Sequence, residues 1–138
     1  MFPIAFAWFA LLSGLALTPI TAVAQLDDGA FVAYPFSIGM AGFAGATSLA
    51  EVAMQRTASR PDAAQVFLAI IDNDRRSDVA KLYALCGLKQ IGSPSFQSAA
   101  GRFASLEKRV SVLHGGVLQK ERLGDVVARI TRWTCSRP

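Results

Sequence analysis

The sequence predicts a mainly α fold: a single domain of about five short helices in antiparallel hairpins, with a small β-hairpin before the last helix. Apolar residues recur at helical spacing in a series of stretches after residue 46, and Ser or Asp residues suited to helix starts stand before several of them. The breaks between stretches are only a few residues long, as in antiparallel helix pairs.

The elements follow in order. Residues 25–46 alternate aromatics (Phe31, Tyr34, Phe36, Phe43) with Gly29, Gly39, Gly42 and Gly45, and Pro35 interrupts any helix. They read as an extended arm whose aromatics pin it to the core. No strand-then-helix Gly pattern accompanies the glycines, so a phosphate loop is not indicated. The helical domain is 47–138. Ser48 and Glu51 form a capping-box pattern opening a helix from Leu49 to about Thr57. Pro61 and Asp62 suit the first turn of a second helix, in which Ala63, Val66, Phe67, Ile70 and Ile71 share a face. Ser77 and Asp78 cap a third, with Val79, Leu82, Tyr83, Leu85, Cys86 and Leu88 turned inward.

After the Gly92-Ser93-Pro94 turn, a weaker fourth helix is expected from Ser95 to about Leu106. The β-branched run Arg109 to Leu113, a turn at His114-Gly115-Gly116 and Val117-Leu118 suggest the hairpin. Glu121 to Trp133 returns to helix, with Leu123, Val126, Val127, Ile130 and Trp133 expected on its buried face.

The chain as a whole is 52% apolar, but this excess is local. Met1 to Leu26 carries no charged side chain, and 18 of the first 24 residues are apolar. Ile4 to Leu17 is an apolar run, followed by the helix breaker Pro19 and an A-x-A pattern at Ala22 and Ala24. Residues 1–24 therefore read as a secretory signal peptide cut before Gln25, which places the mature chain in the periplasm or outside the cell. The alternative is a retained anchor, opposed by Pro19 and by the absence of Lys or Arg before the run. The membrane is then a transient partner only. The remaining 114 residues (138 less 24) hold all 24 charged side chains and have ordinary globular composition.

Cys86 and Cys135 are the only cysteines. In an oxidising compartment a disulfide between them is the simplest expectation; the alternative is a buried thiol at Cys86 and a free one near the C-terminus. Two cysteines 49 residues apart and one histidine offer no closely spaced metal ligands, so no metal and no cofactor are expected.

Leu82-Tyr83-Ala84-Leu85-Cys86-Gly87-Leu88 resembles the helix of uncharacterised small secreted bacterial proteins that carry an L-Y-A-L-C-G-L motif. The likeness extends over roughly Phe36 to Ile130, through Ile38-Gly39, Gly45 to Ser48 and Gly115 to Leu118. It implies export and a helical domain, and it brings no activity. That family places a second cysteine where this chain has Gly116, so here Cys135 would take over as the partner.

No motif states a chemistry. His114 is the only histidine, in a glycine turn, and no Ser, Cys or Asp is framed around it as nucleophile or orienter. Asp72, Asp74 and Asp78 lack the Gly and terminal Glu of a calcium loop and read as a helix connector. Glu107 and Glu121 are the remaining candidates for a hydrolytic carboxylate pair. Charge is more informative: residues 102–138 hold eight basic and three acidic groups, net +5. Arg122, Arg129 and Arg132 fall on one face of the last helix as read from the sequence.

The leading expectation is an exported non-enzymatic domain acting through contact with another macromolecule. The alternative is a peripheral binder of anionic envelope surfaces, lipid or wall polymer, through those arginines; a small hydrolase is third. Nucleic acid is not an expected partner, because no aromatic platform is interleaved with the basic residues.

Overall fold

In a computed structural model, the described residues are 35–39, 45–133 and 135. They form α1 (Leu49–Ala58), α2 (Ala63–Asp72), α3 (Asp78–Gln90), α4 (Phe96–Gly101), β1 (Arg109–His114), β2 (Val117–Arg122) and α5 (Leu123–Arg132). The predicted mainly α domain with a hairpin before its last helix is what the chain forms. Residues 1–34, and with them the signal segment and most of the 25–46 arm, lie outside the described residues.

α3 is the centre of the fold. It packs against α1, α2, α4, α5 and β1, and every residue from Leu82 to Leu88 is buried. Ser77 caps it, its hydroxyl accepting from the Ala80 N–H at 3.1 Å. Gly87 is required by close approach, since a Cβ there would lie 2.2 Å from Cζ of the Phe67 ring on α2. The L-Y-A-L-C-G-L run is thus a packing signature, with Leu82, Leu85 and Leu88 in the core and Gly87 admitting an aromatic from the neighbouring helix.

Three expectations at helix ends are corrected. At α1, Ser48 caps the Glu51 N–H at 3.1 Å as predicted, but the Glu51 carboxylate completes no box; it turns to the Gly39 N–H at 2.8 Å. At α2, Pro61 precedes the helix and is not in its first turn; Asp62 stands at the N-cap, at the positive end of the dipole as expected, but its carboxylate does not cap the helix. The planar guanidinium of Arg60 takes its carboxylate through two bonds of 2.8 and 2.7 Å instead. α4 stops at Gly101 and continues to Leu106 as turns, closed by i→i+3 bonds such as Phe103 N–H to the Ala100 carbonyl.

The largest correction concerns the hairpin. β2 runs on to Arg122 because its backbone stays in register with β1, pairing Val110 with Glu121 and Arg109 with Arg122. Glu121 and Arg122 therefore belong to a strand, and α5 begins at Leu123. The turn is the two residues Gly115-Gly116, and Gly115 takes the positive φ of 58° that primed hairpin turns need at their first central position. His114 ends β1 opposite Val117 and is not a turn residue. The two strands differ sharply: β1 buries Val110, Ser111 and Val112 in succession, while β2 exposes Val117 through Lys120.

α5 is one-sided, burying Leu123, Gly124, Val126, Val127 and Ile130. Trp133, predicted to join them, is 69% exposed. The helix ends at Arg132, and Trp133 adopts an extended backbone (φ −109°, ψ 159°), so helical periodicity no longer sets its direction. No helix among the described residues is long and apolar enough to cross a membrane.

Candidate functional site

A short stretch of arm forms one wall of the site. The Phe36 N–H donates to the Ser111 carbonyl and the Leu113 N–H to the Phe36 carbonyl, both at 2.9 Å, which lays Phe36 parallel to β1 beside Val112. Ser37 is held by a single side chain: its N–H donates to the Tyr83 oxygen at 3.0 Å and its carbonyl accepts from the Tyr83 hydroxyl at 2.8 Å. The Ser48 hydroxyl also meets that oxygen, at 3.0 Å. The Phe36 ring packs on Tyr83 with centroids 4.9 Å apart. The sequence-based reading of aromatics pinning an arm to the core holds for Phe36, and Glu51 on Gly39 adds a polar pin.

The opposite wall is the end of α5 with Trp133 and Cys135. Lys89, on α3, sends its ammonium to the carbonyls of Thr131 (2.7 Å), Trp133 (2.5 Å) and Ile130. Those of Ile130 and Thr131 are among the carbonyls that a helix end leaves without partners, at the negative end of its dipole. Cys135 is bonded to Cys86, with Cα atoms 5.4 Å apart, in the ordinary range for a disulfide. The expected bridge is present, and it is compatible with an oxidising location.

Between the walls lies a cleft of about 400 Å³. Phe36, Ile38, Val112, Leu113, Ile130 and Trp133 give it an apolar lining, and His114 and Arg129 are its charged or chargeable members. Those two are gathered by Glu121, which bonds His114 Nε2 through Oε1 and accepts from Arg129 Nη1 at 2.7 Å through Oε2. Strand alternation puts His114 and Glu121 on one face of the hairpin, and α5 brings Arg129 to it. Burial pushes the Glu121 carboxyl upward, but the bonds from Arg129 and His114 together outweigh burial and hold it below the ordinary glutamate value.

The predicted site residues are thus distributed differently from expectation. Glu107 and Glu121 do not act as a pair: exposed Glu107 bonds Arg122, and Glu121 serves His114 and Arg129. Arg122, Arg129 and Arg132 do not share one helix, since Arg122 closes β2. Arg132 is exposed and makes no ion pair among the described residues, beside a hollow of about 280 Å³ between α4 and α5. Asp72 pairs with Arg102, and Asn73 accepts from the Arg75 N–H at 2.9 Å, as a connector would. Among the described residues no three potential ligands are grouped as a metal site.

Four residues important to the cleft were not singled out by sequence reasoning for these roles: Trp133, Tyr83, Glu51 and Lys89. A Tyr inside an otherwise apolar helical run, and a Lys where that run ends, are the available signals for two of them. Comparison with protein-family models, with curated proteins and with solved structures returns no match.

Proposed function

We propose that this chain is an exported domain that works by binding rather than by catalysis, and that the cleft beside the hairpin is its contact site. The observation that carries the reading is Trp133, a large aromatic 69% exposed on the rim of an apolar cleft. Aromatic side chains so placed are the usual anchors of a partner contact. The Cys86–Cys135 bond and the uncharged segment before Gln25 support export, as does the resemblance of the α3 motif to secreted bacterial proteins.

The test is affinity capture of the exported protein from periplasm and medium, comparing Trp133→Ser with Asp74→Ser, which alters an exposed connector residue away from the cleft. Partners lost with Trp133→Ser and kept with Asp74→Ser support the reading. An identical set with both variants refutes it.

A second reading, binding to an anionic lipid or wall surface, is favoured by one observation: exposed Arg132 stands next to Trp133, a pairing suited to a membrane interface. Arg122 and Arg129 are already matched by Glu107 and Glu121, so this reading rests chiefly on Arg132. Co-sedimentation with anionic vesicles that is strong at low salt, lost at high salt and reduced by Arg132→Gln supports it; salt-independent retention does not. A hydrolytic reading would use Glu121 to orient His114 and would need a hydroxyl or water at the other ring nitrogen. Binding needs neither.

A further inference from the structure

The walls of the cleft restrict what can enter it. Phe36 and Ser37 have all four of their backbone polar groups occupied, by Ser111, by Leu113 and by the Tyr83 hydroxyl. A peptide laid along this wall would meet apolar side chains and no open main-chain partner at those two residues, leaving amides desolvated and unpaired. A hydrocarbon carries no such groups. The apolar lining suits it, and about 400 Å³ falls within the range of roughly 300–1,000 Å³ typical of small-ligand pockets.

One donor fork stands partly open in the cleft. Of the Arg129 guanidinium only Nη1 has a partner among the described residues, Glu121, and the side chain is 40% exposed. A planar guanidinium fork matches a carboxylate through two parallel bonds. His114, bonded to the same glutamate through Nε2, also lines the cleft.

From this juxtaposition we infer that the cleft binds a hydrocarbon carboxylate, an apolar body against Phe36, Ile38 and Trp133 with its single carboxylate on the open side of the Arg129 guanidinium. The inference rests on the cleft being the contact site proposed above, and it names the chemistry that enters.

Trp8 and Trp133 are the only tryptophans, so Trp8→Phe in the full chain leaves Trp133 as the sole indole reporter. Decanoate should shift Trp133 emission saturably. Decanol, with the body and no charge, should bind at least about tenfold more weakly, and acetate, with the charge and no body, should give no shift. Arg129→Gln should lower decanoate to the level of decanol. Equal affinity for decanol and decanoate, saturation by acetate, or no saturable signal by fluorescence and calorimetry overturns the inference. So does tighter binding of a leucine-terminated peptide than of decanoate. The comparison of decanoate with decanol is made on the unaltered cleft, so it decides the matter even if Arg129→Gln disturbs the fold. Failure of decanoate alongside loss of capture by Trp133→Ser removes the ligand assignment alone; failure of both removes the contact site as well.

Discussion

α3 and the end of α5 are fastened together by the Cys86–Cys135 bond and the Lys89 ammonium, yet they treat their polar residues in opposite ways. α3 has no free side from Leu82 to Leu88, and its polar members become fasteners: the Tyr83 hydroxyl holds Ser37, and Cys86 holds Cys135. α5 buries one side only, and its other side, with the residue that follows, presents Arg129, Arg132 and Trp133. In a domain this small one helix must be enclosed by all the others. Such a helix can support a site without forming one, because each polar atom it buries has to be satisfied where it lies.

Removing a fastener of α3 should therefore act on the cleft from a distance. The largest effect is expected from Cys135→Ala, which opens a loop closed across 49 residues; the chain-entropy model assigns such a loop about 4 kcal/mol. Thermal unfolding should fall by on the order of 15 °C, and Trp133 emission should move to that of a fully solvated indole. A loss of stability with unchanged Trp133 emission would show that Lys89 alone holds the wall, and would break the proposed dependence of the cleft on α3.

Tyr83→Phe comes next. It keeps the ring stacked on Phe36 but strands the buried N–H and carbonyl of Ser37, at about 3 kcal/mol for the two groups. Urea unfolding should report that loss. Amide exchange should report where it falls, with faster exchange at Phe36 and Ser37 and little change in α2. Lys89→Met keeps an apolar stem and removes the donor from two carbonyls at the negative end of α5 and from that of Trp133 beyond it. About 1 kcal/mol is expected by urea midpoint, with fraying confined to the last turn of α5. Equal protection of that turn in both proteins would assign the wall to the disulfide alone.

The same contrast explains what could be seen in the sequence. Helix starts at Ser48 and Ser77 are local events, a hydroxyl meeting an N–H three residues on, so they are legible from spacing. The buried face of α3 is legible because packing follows helical period. The start of α5 is not, since Glu121 and Arg122 suit a helix as well as a strand, and only pairing with Val110 and Arg109 decides. Trp133 fits the apolar period of α5 but lies one residue past its end. The cluster of His114, Glu121 and Arg129 depends on a hairpin register and a helix packing that no spacing rule states.

The smallest effect is expected at that cluster, and it differs in kind from those on α3 because it titrates. Glu121 has its carboxyl held below the ordinary value, as bonds from Arg129 and His114 outweigh burial. A carboxyl lowered on folding contributes stability that is complete above its unfolded value of about 4.3 and is lost as pH falls through its folded value. The difference in stability between the natural chain and Glu121→Gln should therefore be constant near neutral pH and shrink as pH drops below about 4. It should stay small throughout, since Arg129 and His114 are both substantially exposed to solvent. The deficit of Tyr83→Phe should hold steady over the same acid range, because the bonds it removes join the hydroxyl to the neutral backbone groups of Ser37. Urea midpoints at pH 7 and pH 3 for both variants separate the two behaviours. A Glu121→Gln deficit equal at both pH values would mean that the carboxylate acts by packing alone, and that charge at the mouth of the cleft has no part in holding it.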